Sequence, residues 1–159
     1  VTGTVRRGFL EVDPSWVEWL LAASTCLPSF QMSAEGSAWQ WRGPWRWPRK
    51  VGLGVPFVRA AIELTGDEEP HHVNWWANVL RVGGSYRSHS HDGRWVFVYH
   101  LTAGTALHFE TESFPATPGQ MLVFGAGLRH WTDRAERDAL PRVSIVGNLY
   151  YRRGHRVGA

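Results

Sequence analysis

A single cysteine, Cys26, stands in 159 residues, which rules out an intrachain disulfide and means that the fold does not draw on oxidising surroundings. Lysine is equally scarce. Lys50 is the one lysine among 17 basic residues, and against 14 acidic residues the arginine-borne excess is only +3. The basic segment Tyr151-Arg152-Arg153-Gly154-His155-Arg156 comes with no recognised nucleic-acid motif, so a solvated terminus and no nucleic-acid partner are expected. No apolar run reaches the roughly 18 residues of a membrane span. No signal-peptide pattern opens the chain either, and the expectation is a soluble, cytoplasmic protein with no membrane partner. Internal repeats and low-complexity segments are also missing.

What is present is ordinary globular composition, 43% hydrophobic and 19% charged, in a length that suits one domain over residues 1–159. Tryptophan is the exception, with ten copies. Trp39, Trp41, Trp45 and Trp47 crowd one short stretch, which suggests core packing or an aromatic wall to a cavity.

Asp13-Pro14 ahead of an apolar run reads as a helix start, Asp13 capping and Pro14 in the first turn. Trp16, Trp19, Leu20 and Ala23 then share one face, which should pack on a sheet. From Cys26 to Pro56 prolines and glycines predict loops and short strands. Phe57 to Leu64 suits a second short helix or a strand, and Thr65 to Pro70 an acidic turn. From Val73 the texture becomes short β-branched and aromatic runs between turns. Candidate strands are Asn78–Val82, Trp95–Leu101, Ala106–Glu110, Gln120–Phe124 and Arg142–Tyr150. The expected fold is mainly β: a jelly-roll, cupin-like core over residues 73–150, a helical and irregular N-terminal support over 1–72, and a basic tail over 151–159.

The chemistry concentrates in that core. His89 and His91, two apart on extended chain, point to one side and can share an ion. Alone, such a pair is a weak signal. The sequel strengthens it: Pro118-Gly119 starts an apolar strand, and a small-residue bend then delivers His130 as a third ligand. Three protein ligands would leave positions open for substrate and oxygen, as in non-haem iron oxygenases. Arg142 and Ser144 share a face of the last strand, where a buried guanidinium is costly unless it meets an anion. A carboxylate suits its planar fork of donors, and an internal salt bridge is the plainer alternative.

Together, Tyr86-Arg87-Ser88-His89-Ser90-His91, His130 and Arg142-Val143-Ser144 resemble the 2-oxoglutarate- and iron(II)-dependent oxygenases of the double-stranded β-helix superfamily. The resemblance is closest to small members in which a Trp-x-Asn segment, here Trp76-Ala77-Asn78, precedes a His-x-His pair. It spans roughly residues 73 to 150. It implies an Fe(II) centre on His89, His91 and His130, and 2-oxoglutarate with its distal carboxylate on Arg142 and Ser144. Tyr86 and Asn78, and more weakly Asn148, would make polar contacts to that cosubstrate. Oxygen would be consumed and a substrate C–H bond oxidised, by hydroxylation or a related reaction. One departure stands out: His91 occupies the superfamily's carboxylate position. A three-histidine site is one charge unit more positive, with Asp92 an alternative ligand or a hydrogen-bond partner of one.

Two other readings compete. A cupin-type three-histidine dioxygenase would need no 2-oxoglutarate, yet Trp95 and Val96 stand where the cupin glutamate belongs and Leu122 where its later histidine belongs. A tryptophan-lined binding module without catalysis would explain the aromatics and leave the ordered histidine and arginine series to chance. The short chain points to a small or carrier-presented substrate, or to a site completed by a second subunit in a homodimer.

Overall fold

A computed structural model of the chain describes residues 4–26, 30–32, 38–41, 55–136 and 141–152. Eight of its strands, β4 (His72–Leu80), β5 (Tyr86–His89), β6 (Trp95–His100), β7 (Gly104–Phe109), β8 (Ser113–Ala116), β9 (Gln120–Gly125), β10 (His130–Thr132) and β11 (Arg142–Tyr150), form a jelly roll. They divide into two facing antiparallel sheets, β9-β6-β11-β4 and β5-β10-β7-β8. This is the double-stranded β-helix, as expected.

The N-terminal segment does more than support this core. It adds β1 (Arg6–Phe9) beside β9 at one edge of the larger sheet, and a hairpin of β2 (Phe30–Met32) and β3 (Ala38–Trp41) beside β4 at the other. Trp45, Trp47 and the side chains of Trp39 and Trp41 lie outside the described residues, as do Arg153, His155 and Arg156, so neither the aromatic wall nor the basic tail is placed.

Helices α1 (Pro14–Cys26) and α2 (Pro56–Thr65) cover the outer face of the larger sheet. Asp13 caps α1, accepting the Ser15 N–H at 2.9 Å. The buried face of α1 corrects the expected one. Leu20 and Ala23 are buried and Trp16 packs beside them, but Trp19 is 45% exposed. Val17 and Leu21 pack on the other flank, turning the buried stripe away from Trp19. The segment after Pro56 is a helix; Gly66, at φ 63°, ends it in the left-handed conformation that glycine adopts without strain.

Strand β4 begins at His72, well before the expected Asn78, and ends at Leu80, where Arg81–Gly84 turn back. The reason is its alternation. Val73, Trp75, Ala77 and Val79 face the helices, while His72, Asn74, Trp76 and Asn78 occupy the opposite face, and polar residues lining a cavity resemble a loop in sequence. Strand β8, also missed, holds Phe114 and Ala116 inward around Pro115. Thr117–Gln120 form the expected proline-glycine turn, Gly119 at φ 83° and Gln120 N–H on Thr117 O at 3.0 Å.

An aromatic cluster fastens the helices to the sheet. Phe57 of α2 meets Trp16, Trp75, Phe97 and Tyr99 at ring separations of 5.2–6.2 Å. Phe57→Ala should therefore cost about 3–5 kcal/mol, read as a lowered urea midpoint. A loss below about 1 kcal/mol would mean that α2 is not anchored there.

Candidate metal centre and its cavity

A cavity of about 420 Å³ opens between the two sheets. Its floor is β11 and β4, whose alternate side chains point into it. Arg142, Ser144, Val146, Asn148 and Tyr150 come from β11, and Asn74, Trp76 and Asn78 from β4. Its other wall is the smaller sheet, which brings Tyr86, His89, His130 and Thr132.

Tyr86 and His89 are three residues apart, a spacing that would normally put them on opposite faces of a strand. A bulge resolves this: Tyr86 pairs with Thr132 and His89 with His130, so three steps on β5 match two on β10. The Tyr86 N–H donates to Thr132 Oγ1 at 2.9 Å, and Arg129 grips Ser88 through Oγ at 3.2 Å and through the carbonyl at 2.9 Å, fixing the strand end that carries His89. The His91 N–H donates to Ala126 O at 2.9 Å. That bond ties His91 to the small-residue bend leading to His130.

The three imidazoles converge, with ligand nitrogens within 4.8 Å of one another and ring centroids 4.4–5.0 Å apart. Trp76 stacks on His91 at 5.6 Å and Phe124 packs edge-on to His130 at 4.9 Å, holding the rings in place. The Nδ1 of His89 is 2.7 Å from Arg87 O, and that of His130 is 3.0 Å from Leu128 O. A carbonyl only accepts, so both Nδ1 atoms carry the proton and both Nε2 atoms keep a lone pair. The Nε2 atoms of His91 and His130 stand 3.2 Å apart. Metal–nitrogen bonds of about 2.0–2.1 Å give ligand–ligand edges of roughly 2.9–3.3 Å, so this pair has the span of a coordination edge. The donor set fits a divalent transition ion.

Burial keeps the His91 and His130 rings neutral, as a ligand must be. It lowers His130 to about 3 and His91 to about 4, with the neighbouring His89 adding to both shifts and Asp92 opposing that of His91. Asp92 itself is exposed and lies outside the convergent group, which among the described residues comprises the three histidines.

Farther along β11, Arg142 is 4% exposed and Ser144 1% exposed. No carboxylate among the described residues pairs with Arg142, and its Nε has no acceptor. Burial lowers Arg142 to about 10, so it remains a cation at neutral pH. Burial also raises the nearby Tyr86, whose hydroxyl has no partner. Among the described residues, therefore, Arg142 forms no plain salt bridge. His100, fully buried beside Ser144, has neither ring nitrogen paired. Asn78 lines the cavity between these groups and the β4 residues that sequence reading passed over, Asn74 and Trp76. The signal for those two was the alternation backward from Asn78.

No protein-family model matches the chain, and no curated protein sequence matches it. Solved structures do resemble it. A prolyl-4-hydroxylase of Pseudomonas putida aligns with 95% of this chain and 94% of its own at TM-score 0.65 and 16% identity. An oxidoreductase of the 2OG-Fe(II) oxygenase family from Burkholderia pseudomallei aligns with 95% of this chain and 88% of its own at TM-score 0.62 and 16% identity. At that identity the likeness shows the shared double-stranded β-helix fold.

The lowered histidines carry a sign. Between about pH 6.5, the ordinary histidine value, and about 4, the unfolded chain takes up protons that the folded protein refuses. Stability from these rings is thus complete above about pH 6.5 and falls as pH drops. The urea midpoint of the metal-free protein should decrease from pH 7 to pH 4, and His130→Gln should flatten that slope. A profile that is level in the native chain would mean that the rings are hydrated.

Proposed function

We propose that the protein is a non-haem Fe(II)- and 2-oxoglutarate-dependent oxygenase acting on a C–H bond of a small or carrier-presented substrate. The observation that carries this reading is a buried arginine with no carboxylate partner among the described residues, in one cavity with three convergent imidazoles. His89, His91 and His130 would hold the metal through Nε2, Nδ1 of His89 and His130 being committed to carbonyls. When bound, the iron and its cosubstrate supply the oxygen activation and the oxidation.

The chain's own residues bind, orient and exclude water. Arg142 offers its guanidinium to the far carboxylate of 2-oxoglutarate, Ser144 adds a hydroxyl, and Tyr86 has an unpaired hydroxyl on the same side. Gly104 makes room for this clamp: a Cβ there would sit 2.7 Å from Arg142 Cβ. Val98, Leu107 and Val146 line the cavity with apolar surface that keeps water from the reacting centre. The histidine in place of a carboxylate leaves the site more positive, which favours a dianionic cosubstrate. A three-histidine dioxygenase without 2-oxoglutarate is the second reading, favoured by the all-imidazole donor set and disfavoured by a buried Arg142 that has no carboxylate partner among the described residues.

Anaerobic titration separates the two. Adding 2-oxoglutarate to the Fe(II)-loaded protein should raise a visible metal-to-ligand charge-transfer band, and His130→Ala should lower Fe(II) affinity at least about tenfold. No band with full Fe(II) binding would favour the second reading, and full Fe(II) affinity in the alanine variant would sink the triad. Gly104→Ala should weaken 2-oxoglutarate by about tenfold or more while leaving Fe(II) affinity unchanged, since it displaces the clamp and not the ligands. Unchanged 2-oxoglutarate affinity would show that Arg142 does not hold it.

A further inference from the structure

We infer that Asn74, Trp76, Asn148 and Tyr150 form a substrate subsite at the end of the cavity opposite Arg142, built to hold a neutral secondary amide. Strand register gives the placement. Trp76 pairs with Val146 at the middle of β11 and stacks on His91, so the imidazole cluster stands over that level. Arg142 and Ser144 lie to one side along the strand, and Asn148 and Tyr150 to the other. Ser144 and Asn148 are four steps apart, roughly 13 Å. A cosubstrate held at the Arg142 end therefore leaves the Asn148 end to the molecule being oxidised. This division rests on the oxygenase reading; the subsite's hydrogen-bonding chemistry does not.

Asn74 and Asn148 are cross-strand partners, and both amide nitrogens reach the Tyr150 hydroxyl, at 3.5 and 3.3 Å. Their carbonyl oxygens are buried and accept nothing. Tyr150 carries one hydroxyl hydrogen, so turning the amides over could satisfy at most one of the two carbonyls through it. The indole N–H of Trp76 is also buried without an acceptor. Unpaired buried groups cost about 1–3 kcal/mol each, and the side chains that carry them line the cavity. A ligand that donates to an asparagine carbonyl and accepts from Trp76 relieves both.

Charge narrows the class further. Besides Arg142 and the histidines, the one charged side chain among the described residues that line the cavity is Asp92, which is exposed. A charged group at the Asn148 end would find no buried counter-ion among the described residues. A secondary amide is neutral, flat and carries a donor and an acceptor on opposite edges, which suits the wall that Trp76 presents.

The test uses the full chain loaded with Zn(II), a redox-inert occupant, in ligand-observed NMR titrations. The probes are N-acetyl-L-alanine N′-methylamide and its analogue methylated at both amide nitrogens, which has lost both donors. The native protein should prefer the first by about fivefold or more. Asn148→Leu should erase the preference and Tyr150→Phe, a milder change, should reduce it, with Zn(II) affinity unaltered in both. Equal binding of the two probes, or a preference that survives in both variants, overturns the subsite. A missing charge-transfer band with Fe(II) and 2-oxoglutarate would instead remove the oxygenase reading and leave the amide preference standing.

Discussion

The pairing of β11 on both sides, with β4 along its whole length and with β6 over most of it, is the constraint on which the other features depend. A strand bonded at both edges cannot slide without breaking two ladders, so its register is set. Its period of two then separates two chemistries. Val143, Ile145 and Leu149 face the helices, and Arg142, Ser144, Asn148 and Tyr150 face the cavity. A slip of one residue would bury the polar set against Phe57 and Phe97 and turn the apolar set toward the imidazoles. Gly147 locks the fit: a Cβ there would lie 2.4 Å from the Phe97 ring.

The electrostatic character of the cavity follows from the same register. Between β11 and the smaller sheet, low exposure keeps His91 and His130 neutral while Arg142 stays charged. The result is one buried cation with no buried counter-charge among the described residues. The buried cation and the unpaired hydroxyl, amide and indole are costly without partners, and they line one cavity. The smaller sheet contributes precision through a different device, the β5–β10 bulge, which brings Tyr86 and His89 to one face despite their odd spacing.

Much of this was legible in the chain. The β-branched and aromatic runs of β6, β9 and β11, the Asp13-Pro14 helix start and the Pro118-Gly119 turn are local features, governed by the conformational preferences of a few neighbouring residues. The His89, His91 and His130 series could be named because metal ligation demands particular residue types. Strand β4 was read too short because the face it turns away from the helices carries His72 and Asn74, polar residues that imitate a loop. Strand β1 was hidden for another reason, being short and paired to a partner distant in sequence, whereas the short strands β2 and β3 fall where short strands were expected.

What the sequence by itself determined is therefore the local and the chemical: which segments extend, which coil, and which side chains can bind a cation or an anion. The tertiary structure decided which of these meet. It turned Trp19 outward, left Asp92 outside the imidazole cluster, and set Trp76 against His91 with Asn148 and Tyr150 beyond it. Those outcomes depend on inter-strand register and a single bulge. Both arise from long-range pairing, in which the cost of closing the chain is balanced against the burial of a whole face, and no local preference encodes that balance.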